Sequence, residues 1–333
     1  MKKSEKIIEI QRRLFEEIRN RSAEKYIFAD EISDELNISR DSAYRRINCD
    51  TLLGINEIFA LCQKYQISLD KLMGLRDSKL FDCTYRPIDL TTPDAYLKYM
   101  LALSKHIETL SASRDATVLM SATDIPVFHL VTQKELRYFK IYTWLQSVYN
   151  FEKSIEDFLL GIETPDIEGC YQKINSNYKL IPSAEIWTDD TVNTTLKLIS
   201  YYVDISSFSN TDLPLLLCEQ VLNILNKLQS WTENSTKGEG AASFQLFVSE
   251  MELENTYIIM KRPGTTSCIV KLYTINSLNV YDPQFCHETE NWLKKLSERS
   301  VLLCGNSEKE RIQFFKTQRK KVHTLMEKIR NAF

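Results

Sequence analysis

Between Phe28 and Tyr65 the apolar and polar positions fall into two short amphipathic segments around the break Leu36-Asn37-Ile38-Ser39. In the first segment Ala29, Ile32 and Leu36 share one helical face, and in the second Ala43 and Ile47 stand four apart on another. Ser39 precedes the second segment and can accept a backbone N–H of its first turn, as an N-cap does. Asn37 lies where the first helix must stop, and Asn tolerates the left-handed conformation that helix ends use. The pattern predicts two helices joined by a tight turn, the layout of a helix-turn-helix. Upstream, residues 4–21 carry Ile7, Ile10, Leu14 and Ile18 at helical spacing and read as a preceding helix.

The polar side of the second segment carries the chemistry. With Ala43 and Ile47 turned inward, a step of about 100° per residue directs Asp41, Arg45 and Asn48 outward. Ser42 and Tyr44 lie beside them, and Arg40 and Arg46 flank the apolar stripe. Outward donors and acceptors suit base edges in a major groove, and flanking guanidinium groups suit phosphates. The predicted DNA-contacting set is Ser39, Arg40, Asp41, Ser42, Tyr44, Arg45, Arg46 and Asn48. The plainer reading is a solvated surface helix. Such helices are usually rich in Glu, Lys and Ala, whereas SRDSAYRRIN holds three Arg, one Tyr and a single acid.

Residues 28–74 resemble the lambda-repressor-like, or xenobiotic-response-element, helix-turn-helix family. The resemblance rests on the helix pair up to Ile47 and on LLGINEIFALCQKYQISLDKLMG. There an amphipathic fourth helix (Leu53, Ile58, Leu61, Tyr65) leads into ISLDKLMG, the short fifth helix common at that family's end. It implies a five-helix DNA-binding domain over residues 1–76. Two features depart from the family pattern. Cys49-Asp50 stands where Gly usually follows the recognition helix, and the first helix of the pair carries Asp30, Glu31, Asp34 and Glu35.

Beyond Gly74 the periodicity lapses. Residues 77–91 read as a linker with room for one short strand. From Pro93 to Ser111 the chain is helical, with Tyr96, Met100, Leu103, Ile107 and Leu110 on one side. ATVLMSATDIPVFHLV is apolar without helical period; within it Asp124 reads as a turn or cap rather than a ligand carboxylate, and His129 as a core or capping residue. An aromatic-rich helix is predicted over 133–160, then helices over about 166–178, 188–204 and 212–230, with IPSAEIW and SSFSNTD as turns. The region 92–235 is therefore expected to be an all-helical middle domain, a bundle or a helical array. TENSTKGEGAAS (232–243) reads as a second linker. Strands are predicted at 244–251, 256–261, 267–273 and 278–281, and helices at 286–299 and 307–330, so that 243–333 forms an α+β domain: a small antiparallel sheet with helices on one side. The fold class expected is mainly α, with a five-helix N-terminal module, a helical middle and an α+β C-terminal region.

Composition narrows the function. Of 333 residues, 43% are hydrophobic and 26% charged, as in ordered globular proteins, and the net charge is −3. Residues 1–76 hold 14 Lys and Arg against 13 Asp and Glu, so DNA affinity would depend on how charges are arranged and on two copies acting together. The basic run Arg319-Lys320-Lys321 reads more simply as a solvated helix face than as a phosphate contact. Eight cysteines lie at 49, 62, 83, 170, 218, 268, 286 and 304, with no C-x-x-C pair, which argues against a zinc site or a disulfide framework and fits a reducing cytoplasm. MKKSEKIIEIQRRLFEEIR lacks the apolar stretch of a signal peptide, and no segment is apolar for long enough to span a bilayer. No G-x-G-x-x-G, Walker loop, H-E-x-x-H or G-x-S-x-G is present. Gly305-Asn306-Ser307 opens a helix with a single glycine, and the neighbours Cys286 and His287 point about 100° apart on a helix, a poor nucleophile–base geometry. The expectation is a cytoplasmic, homodimeric transcription regulator that binds double-stranded DNA, with no cofactor, no metal and no enzymatic activity. Its large C-terminal region would dimerise the protein and sense a small-molecule or protein effector. Two rivals accompany it: an interaction scaffold whose helix-turn-helix no longer binds DNA, and an enzyme working through Asp124, Cys286 or His287.

Overall fold

The computed structural model describes residues 3–21, 28–65, 67–73, 83–85, 88, 93–149, 151–161, 164–272 and 276–332. Of the linker expected at 77–91, only Cys83–Tyr85 and Ile88 are among them. The chain is mainly helical, with a mixed eight-stranded sheet in its C-terminal part. It divides into two compact units, Met1–Phe81 and Asp82–Phe333.

Among its described residues the first unit holds five helices: α1 (Lys3–Arg21), α2 (Phe28–Leu36), α3 (Arg40–Ile47), α4 (Ile55–Lys64) and α5 (Leu69–Met73). Their apolar stripes meet in one core of Leu14, Phe15, Ile18, Phe28, Ile32, Ala43, Leu61, Ile67 and Leu72. Burial of a Leu, Ile or Phe side chain is worth about 1.5–3 kcal/mol, and short helices such as α3 depend on that packing because they are marginal alone.

The second unit runs β1 (Cys83–Tyr85), α6 (Pro93–Ser111), β2 (Thr117–Ser121), α7 (Val127–Leu130), α8 (Lys134–Val148), α9 (Ile155–Gly161), α10 (Pro165–Lys179), β3 (Ser183–Trp187), α11 (Thr191–Asp204) and α12 (Asp212–Asn234). It continues through β4 (Phe244–Val248), β5 (Tyr257–Arg262), β6 (Thr265–Lys271), β7 (Ser277–Val280), α13 (Pro283–Glu298), β8 (Val301–Leu302) and α14 (Glu308–Ala332). The strand order is β1-β7-β6-β5-β2-β3-β4-β8. The pairs β2–β3 and β3–β4 are parallel and all others antiparallel.

This topology corrects the expected separation of an all-helical 92–235 from an α+β 243–333. Thr117–Ser121 and Ser183–Trp187 are strands in the middle of the sheet, so both regions share one unit. Covered on both faces, these five-residue strands show no alternation of apolar and polar residues, and β3 occupies the segment expected to be a turn. The predicted linker 232–243 is likewise internal: α12 extends to Asn234, Thr236 bridges Ser243, and the Lys237 side chain is buried. The aromatic run over 133–160 is two helices, α8 and α9.

Successive strand residues face opposite ways, and the two faces have different covers. Val118, Met120, Trp187, Phe244, Leu246 and Met260 join the large core formed with α6, α7, α8, α10, α11, α12 and α14. Ile186, Ile259, Cys268 and Val280 face α13 through Cys286, Leu293 and Leu296. The sheet thus has helices on both sides, rather than on the one side expected.

Candidate nucleic-acid interface

The α2–α3 connection is set by three polar residues. Asn37 adopts φ 51°, and its N–H donates to Asp34 O at 3.3 Å while Ile38 N–H donates to Ser33 O at 3.0 Å. These are the two bonds of a Schellman stop. Ser33 Oγ closes the turn from the side by donating to Ile38 O at 2.6 Å. Ser39 then caps α3, accepting from Ser42 N at 3.3 Å.

α3 ends by the same device. Cys49 N–H donates to Arg46 O at 3.0 Å and Asp50 N–H to Arg45 O at 2.8 Å, with Cys49 at φ 63°. The turn therefore keeps the left-handed geometry that favours Gly but builds it on Cys, at a cost of about 1–2 kcal/mol for a side chain in that region. The Cys49 thiol lies 3.9 Å from Ile8 O of α1.

Within α3, Ala43 is fully buried and Ile47 is partly buried against the core. Asp41, Tyr44, Arg45 and Asn48 are exposed. Asp41, Arg45 and Asn48 follow one another at i, i+4 and i+7 and so form a single row. None of the three makes a side-chain hydrogen bond or ion pair among the described residues. Arg40 pairs with Asp30 at 3.0 Å and lies 5.9 Å from the Tyr44 ring centre. Ser42 is half-buried and shares a hydroxyl–hydroxyl bond with Ser39 at 2.9 Å.

Arg46 differs from the flanking phosphate contact expected of it. Its guanidinium lies 2.8 Å from Glu57 Oε1 and donates to Ser42 O at 3.2 Å. Glu57 in turn accepts from Gly54 N–H at 2.8 Å, closing the first turn of α4. Burial alone would raise the Glu57 carboxyl, but the Arg46 and Gly54 donors hold it below the usual carboxylate range. Arg46 is thus a brace between α3 and α4.

A second brace was not visible in the sequence. Gln11 of α1 is buried; its amide N–H groups donate to Arg46 O at 2.7 Å and Thr51 O at 2.9 Å, and its oxygen accepts from Leu53 N–H at 2.9 Å. The only signal was a neutral amide in a helix whose other polar residues are largely charged.

The acids of α2 are mostly engaged within the unit. Besides Asp30 with Arg40, Glu35 pairs with Lys64 at 2.9 Å, and Glu31 is hydrogen-bonded to Tyr65. Asp34 remains exposed.

The rival catalytic residues stay apart. Cys286 faces the sheet under α13, its thiol 3.5 Å from Val280 O and raised in pKa by burial. His287 is exposed and bonded to Asn291 at 2.9 Å. Asp124 belongs to the other face of the sheet, where it binds Lys140 and Thr195. Of the basic run in α14, Arg319 reaches Asn226 and Gln229 of α12, and Lys321 donates to Asp189 O at 2.6 Å.

The second unit also holds a buried polar network centred on Glu185 of β3. A carboxylate can only accept, so His129 Nε2 donates to it at 2.9 Å, alongside Tyr178 Oη at 2.7 Å and Trp187 Nε1 at 2.8 Å. Burial pushes His129 below its ordinary value despite the pull of Glu185, which keeps the ring neutral; these donors, His129 foremost, hold Glu185 ionised against its own burial. Lys237 donates to the carbonyls of Tyr178 and Ile181 at 2.8 and 2.6 Å, while Lys227 Nζ is buried with no hydrogen-bond partner among the described residues. Burial lowers these two lysines to about 7 and about 8. The sequence signal was an acid inside the apolar stretch Ala184-Glu185-Ile186-Trp187.

Among the described residues no group of His, Cys, Asp and Glu has metal-ligand geometry, and no helix is long and apolar enough to cross a membrane. No protein-family model, curated protein or solved structure matches the chain.

Proposed function

We propose that the protein is a DNA-binding transcription regulator of the lambda-repressor-like kind, in which α3 enters the major groove and the second unit dimerises the chain and carries a sensor. The observation that carries this reading is the row Asp41, Arg45 and Asn48. It is exposed, and unpartnered among the described residues, on a helix whose opposite side, at Ala43, is fully buried. Free donors and acceptors held on a rigid helix suit base edges. Arg45 is the candidate for a bidentate guanine contact, Asp41 and Asn48 for neighbouring bases, and Arg40, Ser39, Ser42 and Tyr44 for the backbone on either side. Arg46 acts here by holding the helix at its angle. A nearly neutral module makes few phosphate contacts, which favours a homodimer on two half-sites about one helical turn apart. The free cysteines fit a cytoplasmic protein.

The test is a fluorescence-anisotropy titration on duplex DNA selected by the protein. Arg45→Ala is expected to cost about 1–3 kcal/mol and relax preference at one base pair. Unchanged affinity and preference in that variant would remove the reading.

The scaffold reading is favoured by one observation. Ile55 and Phe59, one turn apart on α4, are 80% and 67% exposed, beside the exposed Leu52. Salt separates the two readings: DNA binding weakens steeply as salt rises, whereas an apolar protein contact does not.

A further inference from the structure

We infer that the second unit binds a small oxyanion, a phosphate or carboxylate group, between Lys140 of α8 and Lys271 of β6, at the carboxyl end of the parallel strands.

The place follows from topology. β2, β3 and β4 run parallel, and the crevice beyond the carboxyl ends of parallel strands is where open α/β sheets receive ligands. Asp124 lies three residues past the end of β2. Thr195, in the helix that follows β3, donates to its Oδ1 at 2.7 Å, and the Ile125 amide donates to the same atom at 2.8 Å. Lys271 ends β6 on the same face as Ile269, which packs against the large core. Its own N–H donates to Thr256 O, and Thr256 Oγ1 accepts from Thr123 N–H, which ties the two edges of the crevice together.

The charges do not balance. Lys140 Nζ donates to Asp124 Oδ2 at 2.7 Å. Lys271 Nζ lies 3.9 Å from that same oxygen, beyond hydrogen-bond distance, and makes no hydrogen bond among the described residues. Two lysine amines therefore share one carboxylate oxygen; among the described residues Asp124 and Lys140 are the charged groups that act on Lys271, and burial together with Lys140 outweighs Asp124 and holds its pKa below the ordinary value. The excess is one positive charge in a setting where charges are normally paired. The side chains of Asp124 and Lys140 are 14% and 10% exposed and that of Lys271 is 31% exposed, so the opening to solvent is on the Lys271 side. An oxyanion there takes donors from both ammonium groups while Asp124 keeps its bonds to Thr195 and Ile125. Neutral ligands gain nothing from the excess charge, and cations are repelled by it.

The site deepens the sensor part of the proposed regulator, but its occupancy is read without DNA, so failure here leaves the DNA reading intact and the reverse also holds. The full chain is titrated calorimetrically with inorganic phosphate and with succinate at constant ionic strength. Saturable binding is expected, weakened about tenfold or more in Lys271→Gln, as loss of a charged hydrogen bond implies. Tighter phosphate binding assigns a phosphate group, and tighter succinate binding a carboxylate. A second measurement uses the unmodified protein: saturating anion is expected to protect Lys271 from amine acylation, read by mass spectrometry. No saturable binding of either anion, equal binding in Lys271→Gln, or unprotected Lys271 would overturn the proposal.

Discussion

Arg45 and Glu185 are charged residues, one in each unit, and their surroundings are opposite. Arg45 is exposed on a short helix and has no partner among the described residues. Glu185 is fully buried and accepts from His129, Tyr178 and Trp187. A buried carboxylate stripped of donors costs several kcal/mol, so the second unit depends on its network for stability. An exposed guanidinium costs little to leave free, so the first unit can keep it available. What the first unit must fix is the helix beneath Arg45, and it does so with neutral or paired groups: Gln11, Ser39, and Arg46 with Glu57.

The sharpest way to break this contrast is Glu185→Ala. It leaves three buried donors without their acceptor and two buried lysines without the nearby negative charge, and a loss of about 3–5 kcal/mol is expected in urea unfolding of the second unit. A loss below about 1 kcal/mol would mean that the network is not what holds β3 to the helices. Next comes Gln11→Ala, which removes three hydrogen bonds from the α3–α4 connection. About 2–3 kcal/mol is expected from the first unit's thermal unfolding, with DNA affinity falling in parallel if the proposed function holds.

Cys49→Gly acts in the other direction. Relief of the left-handed strain, less the extra backbone entropy of Gly, should stabilise the first unit by about 1 kcal/mol; a loss would show that the thiol's contacts near Ile8 matter more. A pH dependence separates charge from packing. Lys227 is lowered to about 8 from an ordinary 10.5, so below about 8 the folded unit carries its full cost as a buried cation. Between about 8 and 10.5 the unfolded chain binds more protons than the folded one, and that cost fades as pH rises. Lys227→Met should therefore be more stable than the natural chain at pH 7, with the difference narrowing as pH approaches 10. A difference independent of pH would place the effect in packing instead.

The first unit was legible because its signals are local. Asn37 stops α2 and Ser39 starts α3 within three residues of each other, and both act on neighbouring backbone. Cys49 was readable as a departure from the family pattern, though not that Cys would adopt the left-handed turn itself. The pairing of Arg46 is not legible locally because Glu57, its partner, is eleven residues away on another helix. The four later strands were visible through their turns at Asn255 and Pro263-Gly264. β2 and β3 were not, since a buried five-residue strand is merely a short apolar run. The charged clusters of the second unit were hidden for a related reason: Asp124, Lys140, Thr195 and Lys271 are brought together only by the sheet.

The sheet order carries a consequence for synthesis. β5 lies directly beside β2, pairing Thr117 with Lys261 and Met120 with Ile258. Until the ribosome has released residues 257–262, β2 has an unguarded edge in the middle of the future sheet, and bare edges recruit foreign strands. The N-terminal helices can settle while that edge waits. A nascent chain arrested near residue 250 should therefore show a protease-resistant head followed by a long sticky tail.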